Sequence, residues 1–241
     1  MNSRRHDLSA TLPWMRQGSD RLLTLVEQLT DDDFHEPSLL PGWTRAHVIA
    51  HVARNAEALT RLARWAATGI ETPMYADRHQ RAAEIEQTAK HPVHRLRSDL
   101  ATTAMALHEA LAALTGPQWA ATVRSALGRA IPAAEVPWMR TREVWLHAVD
   151  LDSGAGMEDV PADLIDLLAD DVTATLSAKS DCPAVTLVPT DRDLTWRLGT
   201  GDHDHDGAMV HASAAALVGW LTGRVPPERL PGSPPALPTW L

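Results

Sequence analysis

The sequence predicts a helical bundle to about residue 153, followed by a smaller α/β unit running to the C-terminus. Long segments before residue 153 carry apolar residues at helical spacing and are joined by moderate connections. Beyond the Gly154-Ala155-Gly156 turn the composition shifts, and short β-type runs separate Ala-rich helical segments. No internal repeat is visible, and no apolar run approaches the roughly 20 residues needed to span a bilayer.

Taken in order, Leu8 to Leu29 places Leu12, Met15, Leu22, Leu23, Val26 and Leu29 at helical spacing despite Pro13. Pro41-Gly42 breaks the chain and Thr44 is positioned to cap the next helix, which runs to about Thr68 and stops at Gly69. Arg78 to Lys90 reads as a helix, His91-Pro92 interrupts it, and Val93 to Leu114 continues as an Ala-rich helix ended by Gly116-Pro117. Trp119 to Ala130 is less regular and suits a short extended pair around Gly128. The next helix begins near Pro132 or Pro137, since proline is tolerated in a first turn, and stops near Asp152-Ser153-Gly154. In the second unit, Pro161 to Ala178 reads as a helix. Val185–Val188, Leu194–Leu198 and Ala208–His211 read as strands, and Ala212 to Thr222 as a helix ending at Gly223. The Pro-rich stretch from Pro226 to Pro238 has no periodicity.

At 241 residues the chain is long enough for one large domain or two modest ones. Twenty-two basic against 31 acidic residues give a net charge of −9 with no long basic stretch, which argues against nucleic acid as a partner. The segment Met1 to Asp7 has no apolar stretch behind it and does not read as a signal peptide. Cys182 is the only cysteine, so no internal disulfide is possible, and a cytoplasmic protein that is not membrane-bound is expected.

The chemistry concentrates in two segments. Arg142 to Asp150 contains Glu143 and His147, and residues four apart on a helix lie about 6 Å apart along the axis and roughly 40° around it, on one face. Gly42 to Asn55 contains His47 and His51, also four apart, so spacing alone leaves open which of them supplies a third ligand. With His51 in that role, two imidazoles and one carboxylate would leave a fourth position open, the pattern of a catalytic zinc site. The pattern is not H-E-x-x-H, so metalloprotease chemistry is not implied. Asp150 follows His147 by three residues and can orient its imidazole, or stand in solvent at the helix end. Asn55 shares the face of His51 and is a candidate to line a cofactor cavity, against an ordinary polar contact. The run Asp202 to Gly207, rich in Asp and His, reads as a solvated turn, and Cys182 as a thiol without a partner base.

Further segments agree with a known family. They are Ser38-Leu39-Leu40-Pro41-Gly42-Trp43-Thr44-Arg45 with His47 and Ile49 to Ala53, then Glu71 to Tyr75, Trp138-Met139-Arg140, and Arg142 to Leu151. Weaker agreement extends through Gly223-Arg224 to Trp240-Leu241. In these residues the chain resembles the mycothiol-dependent maleylpyruvate isomerase family, within the wider DinB-like metalloprotein superfamily. The resemblance implies a DinB-like four-helix domain over residues 1–153 and an α/β domain over 154–241 that closes the active-site cavity. It implies that His51, Glu143 and His147 bind zinc or another divalent metal, favouring His51 over His47. It places an arginine important to activity at Arg224, which the residues alone would make a helix-end charge. It also implies mycothiol as thiol cofactor, a small-molecule substrate and conversion of maleylpyruvate to fumarylpyruvate; the sequence does not fix the oligomeric state, and a monomer is the expectation. A mycothiol S-transferase on the same scaffold, or a noncatalytic metal-binding protein, are the alternatives.

Overall fold

A computed structural model describes residues 3–201, 207–232 and 234–240, which fall into two compact units, Ser3–Gly154 and Ala155–Leu241. The first is helical apart from one small hairpin, and the second is a smaller α/β unit.

The first unit begins with α1 (Leu8–Gln28), capped by Asp7, whose Oδ1 accepts the Ser9 N–H at 2.9 Å. α2 (Arg45–Thr68) ends at Gly69, where φ is +71° and the N–H reaches back to the Trp65 carbonyl. A left-handed terminus of this kind suits glycine, which has no Cβ to clash. Then come α3 (Arg78–Ala89) and α4 (Val93–Ala112). A one-turn helix α5 (Gly116–Trp119) precedes an antiparallel hairpin of β1 (Thr122–Arg124) and β2 (Ala130–Pro132), with Val123 opposite Ile131. The unit closes with α6 (Val136–Asp150), which carries Pro137 in its first turn.

α2 is the central element: every side chain from Val48 to Ala53 is buried, which an amphipathic surface helix would not show. It packs against α3, α4 and α6, while α1 lies along α6 and α4. The apolar core joins Leu59, Leu62 and Ala63 of α2 to Leu107 and Leu111 of α4 and to Val123 and Ile131 of the hairpin.

One sequence expectation changes here. Gly116-Pro117 does not merely terminate the preceding helix, which already stops at Ala112, but forms the first turn of α5. The Thr115 N–H donates to Gln118 Oε1 at 2.8 Å, and proline costs nothing at a position whose N–H has no helical partner.

Gly18 sets how closely α1 approaches α6. A Cβ there would lie 2.5 Å from Val144 Cγ2 and 2.6 Å from Trp145 Nε1, and that indole already donates to the Trp14 carbonyl at 2.9 Å. Gly18→Ala is expected to destabilise the protein by roughly 1–3 kcal/mol through overpacking, read as a lowered urea midpoint. An unchanged midpoint would mean that α1 can shift without cost.

In the second unit α7 (Ala162–Ser177) precedes β3 (Val185–Pro189), β4 (Trp196–Leu198), β5 (Ala208–Ala212) and α8 (Ala214–Leu221). The sheet order is β4-β3-β5, antiparallel between β3 and β4 and parallel between β3 and β5. Val185, Leu187 and Pro189 are buried and alternate with half-buried residues, so β3 presents one face to the unit's core. α7 packs on β4, and α8 packs on α7, β3 and β5. The acidic and histidine-rich turn expected at 202–206 lies outside the described residues. Among the described residues no helix is long and apolar enough to cross a membrane.

Candidate metal centre

α2 and α6 bring three metal-binding side chains together. Donor atoms of His51, Glu143 and His147 all lie within 4.8 Å of one another. His51 comes from the buried middle of α2, where its side chain is 4% exposed, whereas Glu143 and His147 sit one turn apart on α6 and remain partly accessible. The Glu143 carboxylate stands between the two imidazoles, its Oε2 2.9 Å from His51 Nε2 and 3.2 Å from His147 Nε2. The rings of His51 and His147 meet edge to face with centroids 4.7 Å apart.

The choice between His47 and His51, which spacing leaves open, is made by the start of α2. His47 is the third residue of that helix and turns back to its cap: its Nδ1 lies 2.8 Å from Thr44 Oγ1 and 3.3 Å from the Thr44 N–H. Its other nitrogen faces Glu86 of α3 at 3.2 Å. One turn further on, His51 faces Glu143 instead.

Electrostatics at the site follow from burial against close opposite charge. Burial works to raise the Glu143 pKa, but the charge on His51 and hydrogen bonds from both imidazoles hold it well below the ordinary carboxylate value. Burial would lower His147, yet the hydrogen bonds to Asp150 and Glu143 outweigh it and raise its pKa. His51 goes the other way, because burial exceeds the pull of Glu143 and its pKa falls. The carboxylate is thereby held in its ionised form, the state that a metal requires of such a ligand.

Asp150, which the sequence could place equally in solvent or behind His147, is buried, and its Oδ2 lies 2.8 Å from His147 Nδ1. That contact fixes the ring so that Nε2 points at Glu143. Asp150→Asn is expected to weaken zinc binding by about tenfold in a chelator-competition titration. Equal affinity would show that the ring is held by packing alone.

Asn55 is buried, and its Oδ1 accepts from Arg140 Nη1 at 2.9 Å. The same Arg140 nitrogen donates to the Val52 carbonyl at 2.7 Å, so this buried guanidinium ties α6 to α2 just behind the site. Burial pulls the Arg140 pKa down to about 10, against the favourable charges of Glu143 and Tyr75. Arg224 belongs to the C-terminal unit, immediately after α8, and its Nη1 donates to the Thr222 carbonyl at 2.7 Å. Cys182 also belongs to that unit; partial burial and Asp181 hold its thiol pKa up.

Four groups around the triad escaped sequence reasoning as site residues: Trp43, Tyr75, Arg81 and Arg140. Trp43 sets its indole edge to face against His51 at 5.6 Å. Arg81 of α3 donates from Nη2 to His51 Nδ1 at 3.3 Å, with its guanidinium carbon 6.0 Å from the centre of the Tyr75 ring. Only Arg140 carried a local signal, standing three residues before Glu143 on the same helix.

The donor set, two imidazoles and a carboxylate with no thiolate, suits zinc and also other divalent ions of the first transition row. An ion held by these three side chains would keep a fourth position for an exogenous group.

Comparison with known proteins agrees along nearly the whole length. Residues 15–152 match the family model described as the mycothiol maleylpyruvate isomerase N-terminal domain, and residues 159–239 match the MDMPI C-terminal domain. A solved structure of the mycothiol-dependent maleylpyruvate isomerase is 33% identical to this chain, covers 97% of both chains and superposes with a TM-score of 0.91. A second structure, a histidine-to-alanine mutant of that enzyme, gives the same identity, coverage and TM-score. No curated protein matches the chain.

Proposed function

The chain belongs to the mycothiol maleylpyruvate isomerase family, and from that membership we propose that it is a mycothiol-dependent maleylpyruvate isomerase using a zinc ion held by His51, Glu143 and His147. The observation that carries this reading is the three-ligand cluster between α2 and α6, in a chain that matches the family over both of its units. The four long helices α1, α2, α4 and α6 are read as the DinB-like four-helix bundle that presents these ligands.

Maleylpyruvate becomes fumarylpyruvate when the carbon–carbon double bond turns from cis to trans. When bound, the metal would lower the pKa of an exogenous thiol enough to ionise it near neutral pH, and reversible addition of that thiolate would make the bond single. The chain's own residues then have three tasks. His51, Glu143 and His147 hold the ion, with Asp150 keeping the His147 ring in the tautomer that offers Nε2. Arg224 pairs with a substrate carboxylate and stabilises the negative charge that develops on the conjugated carbonyl during addition. Asn55 is proposed to contact the thiol cofactor through its amide nitrogen, its oxygen being taken by Arg140. No protein general base is assigned, because the same thiolate adds and leaves. The chain's own thiol is no substitute, since Cys182 has a raised pKa and would be a weak nucleophile near neutral pH.

The reading is tested by following maleylpyruvate isomerisation with zinc-loaded protein, with and without mycothiol. Turnover that requires the thiol is expected. No turnover, from protein shown to contain zinc, would replace the isomerase with a thiol S-transferase, for which electrophilic small molecules are the next substrates to try.

A further inference from the structure

Three arginines near the triad have no carboxylate partner among the described residues: Arg61 of α2, Arg81 of α3 and Arg140 of α6. Each is engaged with something neutral. Arg61 Nη1 donates to the Met74 carbonyl, Arg140 Nη1 to Val52 and Asn55, and Arg81 Nη2 to His51 Nδ1. In a chain with 31 acidic residues this is unexpected, because arginines elsewhere find them: Arg54 meets Glu57 and Asp99, and Arg192 meets Asp166 and Asp191. The three converge on Tyr75, since the charges of Arg81 and Arg61 act on its hydroxyl and the Tyr75 hydroxyl acts in turn on Arg140. Three guanidinium groups thus gather on one side of the metal ligands, where Glu143 is the carboxylate that acts on both Tyr75 and Arg140.

Accessibility singles out one of the three. Arg140 is 1% exposed and locked between helices. Arg81 is half-buried and forms one wall of a cleft of about 500 Å³, with Trp43, His47, His79 and Glu86. Two of those walls, Trp43 and Arg81, also touch His51, so the cleft opens beside the triad. The guanidinium of Arg81 has five N–H groups; it reaches His51 Nδ1 at a long 3.3 Å and also hydrogen-bonds the Tyr75 hydroxyl.

We propose that Arg81, with the Tyr75 hydroxyl beside it, binds one carboxylate of the dianionic substrate. This rests on the isomerase reading for the identity of the substrate, which carries one carboxylate on its alkene and another at its pyruvate end. The Arg81 guanidinium, 6.0 Å from the centre of the Tyr75 ring, offers a planar fork to a carboxylate.

The test is direct binding of maleate, a cis dicarboxylate without the reactive keto acid, to zinc-loaded protein by calorimetry. Wild type and Arg78→Ala, an exposed arginine on the same helix, are expected to bind alike, and Arg81→Ala to bind at least about tenfold more weakly. Zinc affinity of Arg81→Ala, from chelator competition, is expected to equal that of wild type. Absence of maleate binding by wild type, or equal binding by Arg81→Ala, overturns the proposal. A weakened zinc affinity in Arg81→Ala also overturns it and makes Arg81 a support for His51. No turnover is read, so failure here is distinguishable from failure of the isomerase assay.

Discussion

His51→Ala is expected to leave the protein folded, without its metal and with turnover reduced by more than about 100-fold. The bound derives from the geometry: replacing a group that merely orients a metal ligand costs roughly 10–100-fold in affinity or activity, and His51 would touch the ion itself. Two protein ligands would remain, Glu143 and His147, both from α6, and they can hold an ion only from one side. The fold survives because α2 keeps its apolar contacts on either side of position 51, from Val48 to Ala53. Metal content after dialysis and isomerase rate, measured on the same sample, check both halves. His47→Ala is the control. It removes the contacts with Thr44 and Glu86 and the stacking on Trp43, none of which involves the triad ligands, so it is expected to cost about 1–2 kcal/mol of stability while retaining metal. If His47→Ala loses the metal and His51→Ala keeps it, the triad is misassigned.

That contrast also marks where sequence reading stops. Helical spacing puts Glu143 and His147 on one face because that relation is local and set by 3.6 residues per turn. The same rule puts His47 and His51 on one face and cannot choose between them. The choice is tertiary: Thr44 and Glu86 occupy one imidazole, and the approach of α2 to α6 presents the other. The ends of α2 were legible for a local reason, a capping threonine at one end and a left-handed glycine at the other. Gly116-Pro117 misled because the same dipeptide suits the end of one helix and the first turn of the next, and only the Thr115–Gln118 contact decides.

The cationic surroundings of the triad were illegible for a different reason. Arg61, Arg81 and Arg140 lie on three helices and meet only through packing, and no spacing rule connects them. Arginine at such positions reads from sequence as an exposed helix residue. What distinguishes these three is that none forms an ion pair among the described residues, which becomes visible only when the neighbours are known. In the second unit, likewise, the apolar runs identify strands, but neither their order β4-β3-β5 nor the parallel pairing of β3 with β5 follows from the runs themselves.

Arg224→Ala is expected to retain one metal per chain and to lose roughly 10–150-fold in kcat/KM for maleylpyruvate. The range is the value of a hydrogen bond to a charged group, about 1.5–3 kcal/mol, expressed as a rate at a factor of ten per 1.4 kcal/mol. The backbone at this position is well fixed for such a role. α8 ends in a pair of reversed hydrogen bonds, Gly223 N–H to the Trp220 carbonyl at 3.0 Å and Arg224 N–H to the Gly219 carbonyl at 2.7 Å, with Gly223 at φ +79°. A side chain that follows such a terminus starts from a rigid point, so little chain entropy is lost when its guanidinium is engaged. Arg224→Lys separates charge from geometry. It keeps the positive charge but not the planar fork, and is expected to recover binding more than turnover if the arginine's role is to hold charge that develops during addition. Both variants leave the terminus of α8 intact, because the reversed hydrogen bonds use backbone atoms alone. Equal kcat/KM in wild type and Arg224→Ala, with metal present in each, removes Arg224 from the reaction and returns it to the role of a charge at a helix end.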